Sequence, residues 1–202
     1  MTNTQIDPRP LYREALSWVC GLIDNVRPDQ MSLPTPCTEF DVTTLIAHQL
    51  AGVRRAAAMG NGLPAESVPF VLKDFGDPVV AYTAEAAATT AVWQEDSKLD
   101  MMVTAPWGVV PGRAAVWAYL NEALVHGWDL AVATDQPFEA NPELVAPVLT
   151  AAARAIPGDA RDVMPFDEVV EPRSEAGPTE RLANWSGRAS APWIHRSYAE
   201  PS

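Results

Sequence analysis

Residues 113–134, RAAVWAYLNEALVHGWDLAVAT, limit the fold more than any other part of this chain. Apolar side chains recur there on nearly every side of a 3.6-residue period, so a helix over 113–134 has almost no face to give to water. No lysine or arginine occurs from Ala114 to Ala153. A helix with no solvated face needs other helices packed around it, and 202 residues are enough for one core to supply them.

The neighbours can be read from spacing. Leu11, Ala15, Trp18, Val19, Leu22 and Val26 recur three and four apart, which predicts a helix over 8–27 that Pro28 ends. A second helix is expected over 42–59, with Asp41 as its N-cap and Gly60-Asn61-Gly62 closing it. Ile46, Leu50, Val53 and Ala57 form one apolar stripe on it, and Leu45, His48, Gln49 and Gly52 form the next. The stretch 61–77 is turn-rich, and 78–96 predicts a third helix. Residues 100–112 read as a loop with room for a short strand, and 142–156 as a fifth helix. Beyond Pro157 prolines, glycines and acidic residues dominate, but Trp185 and Trp193 argue for a tail that docks on the body. The expected architecture is all-α: an up-and-down four-helix bundle over 1–156 with an extra helix, and an irregular C-terminal tail over 157–202.

Composition narrows the partners. The formal charge of −12 disfavours phosphate backbones and anionic membranes, so neither nucleic acid nor a membrane is expected, and a small ligand or another protein remains. No apolar run approaches the ~20 residues that span a bilayer, and MTNTQIDPRP has no secretory pattern, so a cytoplasmic location is expected. Cys20 and Cys37 form neither a CxxC motif nor a disulfide framework, and both read as reduced, buried thiols. Whether the chain forms a homodimer is left open.

Glu122 and His126 interrupt the apolar helix. Positions four apart differ by about 40° around the axis, so both side chains face the same space. A carboxylate buried there without a cation costs several kcal/mol or more. The pair can form a hydrogen bond on a solvated edge, or a divalent metal can supply the missing charge, since carboxylate oxygen and imidazole nitrogen are ordinary ligands. Two other histidines are available as a third ligand. His195 lies in the proline-rich tail and reads as a solvated surface residue; His48 lies between two apolar stripes in mid-helix. His48, Glu122 and His126 would hold an ion inside the bundle and leave one position open, as catalytic sites do.

These residues also carry a family resemblance. TPCTEFDVTTLIAHQLAG, residues 35–52, resembles the TPC-x-x-W-x-V-x-x-L-x-x-H signature of the mycothiol-dependent maleylpyruvate isomerase N-terminal domain family. NEALVHGWDLAVATDQP, residues 121–137, resembles its second signature, E-x-x-x-H-x-W-D-L-A, and PTERLANWSGR is similar to a C-terminal element of an actinobacterial metal-binding subgroup. The resemblance implies a DinB/YfiT-like four-helix bundle. It implies a divalent metal, zinc foremost and nickel as the alternative, on His48, Glu122 and His126. Asp129 matches the motif's Asp and reads either as an acceptor orienting a ligand or as a helix-surface charge. Phe40 stands where the first motif has Trp, and the isomerase's longer C-terminal domain has no counterpart here beyond the tail from Pro157.

The implied cosubstrate is mycothiol or another small thiol, acting on a small electrophile in a transferase or isomerase reaction. A metal-dependent hydrolase and a non-catalytic metal or ligand binder are the other readings. Cys37 reads as a packing residue, because no sequence-adjacent histidine or lysine activates it. Trp107 and Tyr119 could line a pocket but are more often core residues, and neither is assigned to the site.

Overall fold

A computed structural model of the chain describes residues 6–158, 161 and 167–194. Three of the long helices open on an aspartate that accepts a backbone N–H. The Asp7 carboxylate takes the Arg9 N–H at 3.0 Å to open α1 (Pro8–Asp24). Asp41 takes the Thr44 N–H at 2.8 Å to open α2 (Val42–Gly60), and Asp77 takes the Val80 N–H at 2.9 Å to open α3 (Pro78–Val92). Two of these helices stop earlier than the periodicity suggests. α1 ends at Asp24, where Asn25 turns back to donate from its side-chain amide to the Gly21 carbonyl. α3 ends at Val92 because Trp93 leaves the helix to bury its ring, its indole N–H donating to the Ala56 carbonyl at 3.0 Å.

A one-turn helix, α4 (Ser97–Asp100), then leads into an antiparallel hairpin, β1 (Met102–Ala105) and β2 (Gly108–Pro111), which pairs Met102 with Pro111 and Ala105 with Gly108. The segment read as a loop with room for one strand therefore holds two. Next come α5 (Gly112–Ala133) and α6 (Pro142–Ala155). Within the segment expected to be irregular the chain forms two further helices, α7 (Pro178–Trp185) and α8 (Ala191–Ile194). His195 lies outside the described residues.

Four helices form a DinB-like bundle. α1 and α2 each pack against both α3 and α5, so the ring of neighbours runs α1–α3–α2–α5. α5 is buried along almost its whole circumference, as its composition requires. Leu45, Ile46 and Leu50 of α2 meet Leu120 and Leu124 of α5 in the same core, and each is fully buried. Burial of a leucine or isoleucine side chain stabilises by about 1.5–3 kcal/mol, so this seam fixes α2 against α5. α7 packs on α5 and α6, and the Glu139 carboxylate caps it by accepting the N–H groups of Thr179 and Glu180 at 2.9 and 3.0 Å. Among the described residues no helix is long and apolar enough to cross a membrane.

Candidate metal centre

The seam between α2 and α5 carries the chemistry. His48 sits in the middle of α2, with Glu122 and His126 facing it from adjacent turns of α5. His48 Nε2 lies 3.0 Å from Glu122 Oε1, and His126 Nε2 lies 3.3 Å from the same oxygen. One potential ligand atom from each residue falls within 4.8 Å of the others. Both imidazoles are buried, with 6% and 8% of their side chains accessible, while Glu122 keeps 40%. The opening to solvent is therefore on the Glu122 side.

Each imidazole is held from behind. His48 Nδ1 is 3.0 Å from the Phe70 carbonyl, and His126 Nδ1 is 2.9 Å from Asp129 Oδ2. A carbonyl and a carboxylate can only accept, so in each ring Nδ1 carries the hydrogen and Nε2 is the atom turned to Glu122. Two Nε2 atoms and a carboxylate oxygen then point lone pairs into one small space. That arrangement needs positive charge between them, as protons or as a cation. The protons account for the electrostatics of the side chains alone. Burial pushes the Glu122 carboxyl up, but the charge of His126 and the hydrogen bonds with both histidines outweigh it and hold it well below the carboxylate range. Burial pulls the His126 imidazole down, yet the Glu122 charge and its bonds to Asp129 and Glu122 raise it to about 9.

The donor set also suits a divalent ion. Ligand atoms about 2.1 Å from a tetrahedral centre stand about 3.4 Å apart, close to the 3.0 and 3.3 Å that separate Glu122 Oε1 from the two Nε2 atoms. Imidazole held through Nδ1 by a carboxylate or a backbone carbonyl is the usual support for a ligating Nε2.

Aromatic rings complete the wall. Phe70 packs on His48 with centroids 4.4 Å apart, Phe40 lies 5.2 Å from the same imidazole, and the two histidines meet edge-on at 4.8 Å. Phe40 thus keeps an aromatic surface on His48 although it departs from the motif's tryptophan. Gly127 follows His126 because α1 crosses there: a Cβ at that position would overlap the Trp18 ring.

Asp129 is fully buried, and its position in the core rules out a helix-surface charge. Besides His126 it meets Arg188, whose Nε is 3.3 Å from both carboxylate oxygens and whose Nη2 is 3.2 Å from Oδ2. The cation missing from residues 114–153 is supplied from the far end of the chain. Sequence reasoning did not single out Arg188 or the Phe70 carbonyl. A carbonyl in an irregular loop has no sequence signature, and Arg188 stood out only as the last residue of the NWSGR element.

Neither thiol belongs to the three-residue cluster. Cys20 and Cys37 are both partly buried, not fully buried as their residue type suggested. Cys37 borders a cavity of about 550 Å³ that is also lined by Glu39, Asp167, Arg188 and Trp193. Burial pushes its thiol up to about 11, so it is not an activated nucleophile. Tyr119, one turn before Glu122, is buried, and its ring lies 6.2 Å from that of the exposed Trp107.

No family model matches the chain. Two uncharacterized proteins of Mycobacterium tuberculosis, Rv0738 of strain ATCC 25618 / H37Rv and MT0763 of strain CDC 1551 / Oshkosh, are each 34% identical to it over 189 residues, which covers 91% of this chain and 98% of each relative. Among solved structures, the mycothiol-dependent maleylpyruvate isomerase superposes with a TM-score of 0.54 at 17% identity. A histidine-to-alanine mutant of that enzyme gives 0.57 at 16%. Both matches cover 71% of this chain and 67% of the isomerase, and at this identity the likeness is one of fold.

Proposed function

The chain belongs to the family of the uncharacterized mycobacterial proteins Rv0738 and MT0763, and we propose that it is a divalent-metal protein that uses a small thiol, such as mycothiol, against a small electrophile in a transferase or isomerase reaction. The observation that carries the reading is the convergence of His48 Nε2, His126 Nε2 and Glu122 Oε1, with both Nδ1 atoms already engaged behind them. Zinc is the metal that best suits two imidazoles and one carboxylate, with nickel as the alternative. The thiol is argued from the shared fold, because the solved structures that match it are mycothiol-dependent isomerases.

Bound there, a divalent ion would lower the pKa of a coordinated thiol or water, giving a nucleophile near neutral pH. The protein's own part is positional. His48 and His126 hold Nε2 toward the site from rings fixed through Nδ1, and His126 would give up its Nε2 proton to an incoming ion. Glu122 brings the negative charge and lies on the accessible side. Phe40 and Phe70 keep water from the histidine side of the site. Burial, with the Glu122 charge added, raises the Tyr119 phenol, which makes its hydroxyl a hydrogen-bond donor instead of a base.

Metal analysis of purified protein should find about one zinc or nickel ion per chain, and none in His48→Ala. Loaded protein should conjugate 1-chloro-2,4-dinitrobenzene only when mycothiol is added. Ester or amide hydrolysis without any thiol would replace this reading with the hydrolase. Loaded protein inert in both assays would leave a metal or ligand binder, and no metal uptake at all would end the proposal.

A further inference from the structure

We infer that Arg188, carried on the C-terminal segment, is a positioning residue for the metal centre, acting through Asp129 on the imidazole of His126. The inference rests on His126 being a ligand as proposed above. Three observations carry it. Asp129 Oδ2 is shared: it accepts from His126 Nδ1 at 2.9 Å and from the Nη2 of Arg188 at 3.2 Å, and the Nε of Arg188 reaches both carboxylate oxygens. Asp129 has no accessible surface, so its negative charge needs a cation beside it, and α5 carries none past Arg113. The planar guanidinium edge spans the two carboxylate oxygens and fixes the plane of the carboxylate, which in turn fixes the direction of the Nδ1–H bond.

The local structure around Arg188 is built to hold it there. α7 ends in a glycine turn. Gly187, at φ 91°, donates its N–H to the Asn184 carbonyl at 3.0 Å, and Arg188 donates its N–H to the Ala183 carbonyl at 2.9 Å. These are the paired bonds of a Schellman motif, and they set Arg188 as the first residue beyond the turn. The Asn184 side chain then donates to the Arg188 carbonyl at 2.8 Å, and Nη1 reaches the Ser186 carbonyl at 3.3 Å. Ala183 and Asn184 are themselves buried, so the arginine is aimed by a packed helix end and not by a loose loop. Removing the guanidinium leaves a buried carboxylate facing one imidazole alone, free to turn, and the ligand atom on the far side of that ring turns with it. Loss of such outer support typically costs 10–100-fold in metal affinity.

The test is zinc affinity by competition with a chromophoric chelator, measured first on wild type, then on Arg188→Met, Arg188→Lys, Asp129→Asn and the Arg188→Met/Asp129→Asn double variant. Far-UV circular dichroism and thermal unfolding of each variant establish that it is folded. Arg188→Met should weaken zinc 10–100-fold. Arg188→Lys, which keeps the charge and loses the fork, should recover part of that loss. Asp129→Asn should also weaken zinc, and adding Arg188→Met to it should change little, because the arginine then has no charged partner. The inference is overturned if Arg188→Met binds zinc within threefold of wild type, or if its full loss persists in the Asp129→Asn background. Should Arg188→Met not fold, Arg188→Lys and Asp129→Asn decide: wild-type affinity in both overturns it. Wild type failing to bind zinc would sink the metal proposal itself, an outcome distinct from binding that ignores Arg188.

Discussion

At the scale of single residues, environment decides which polar groups are reactive. Cys37 shows this by contrast with the histidine cluster. Burial holds its thiol neutral, and the nearby Asp129, Glu122 and Glu39 charges push the same way, while Arg188 opposes them. The sign of the pH effect follows. Below the ordinary thiol value of 9.0 both folded and unfolded chains are protonated and Cys37 contributes no pH dependence. Between 9.0 and about 11 the unfolded chain ionises and the folded one does not, so stability should fall as pH rises through that window. Chemical unfolding of a Cys20→Ser variant against pH, compared with Cys20→Ser/Cys37→Ser, isolates the contribution. In the Cys20→Ser background, alkylation by iodoacetamide should be slow at pH 7.5 and rise toward pH 11. Rapid labelling at neutral pH would reverse the assignment of Cys37 as a packing residue.

At the scale of elements, the helix ends are specified locally and the site depends on them. Asp41 caps α2 seven residues before His48, so it fixes where that helix starts and hence which face His48 presents. Replacing Asp41 with alanine should cost about 1 kcal/mol of stability in urea unfolding. Gly187 ends α7 in the left-handed region, and a Cβ there would come within 2.5 Å of the Asp167 Cβ. Gly187→Ala should therefore destabilise by more than the ~1 kcal/mol of an unfavourable backbone alone, because a side-chain clash is added to it. Thermal unfolding checks this, and a variant as stable as wild type would show that the turn is not as constrained as its geometry indicates. The end of α3 was misplaced because it depends on a distant partner. α3 stops at Val92 because Trp93 finds Ala56 on another helix.

At the scale of the whole molecule, the cluster joins two helices that also meet through apolar packing and a hydrogen bond from the Gln49 amide to the Ala123 carbonyl at 3.4 Å. Anything that binds the folded chain and not the unfolded one stabilises it by mass action, by about 2.7 kcal/mol at a hundred times the dissociation constant. Under the metal proposal, zinc should raise the melting temperature in a concentration-dependent way, and a chelator should reverse it. In His48→Ala the shift should disappear, since only the two ligands of α5 remain. A zinc-induced shift of full size in that variant would mean the ion binds elsewhere.

Much of this was legible in the sequence. Apolar periodicity located the five long helices, Asp41 marked the start of α2, and the unbroken apolar character of residues 113–134 placed α5 at the centre. The spacing of Glu122 and His126 put them on one face, and the position of His48 between two stripes aimed it inward. These are local properties: a helix repeats every 3.6 residues, so spacing alone assigns faces. What the sequence left undecided is who meets whom. Asp129 could be an orienting acceptor or a surface charge until the fold buried it, and Arg188 had no role until α7 brought it 59 positions back along the chain. The Phe70 carbonyl behind His48 belongs to the same class. Contacts of that kind are set by packing between elements, where charge must find charge in a dry interior, and nothing in local spacing encodes them.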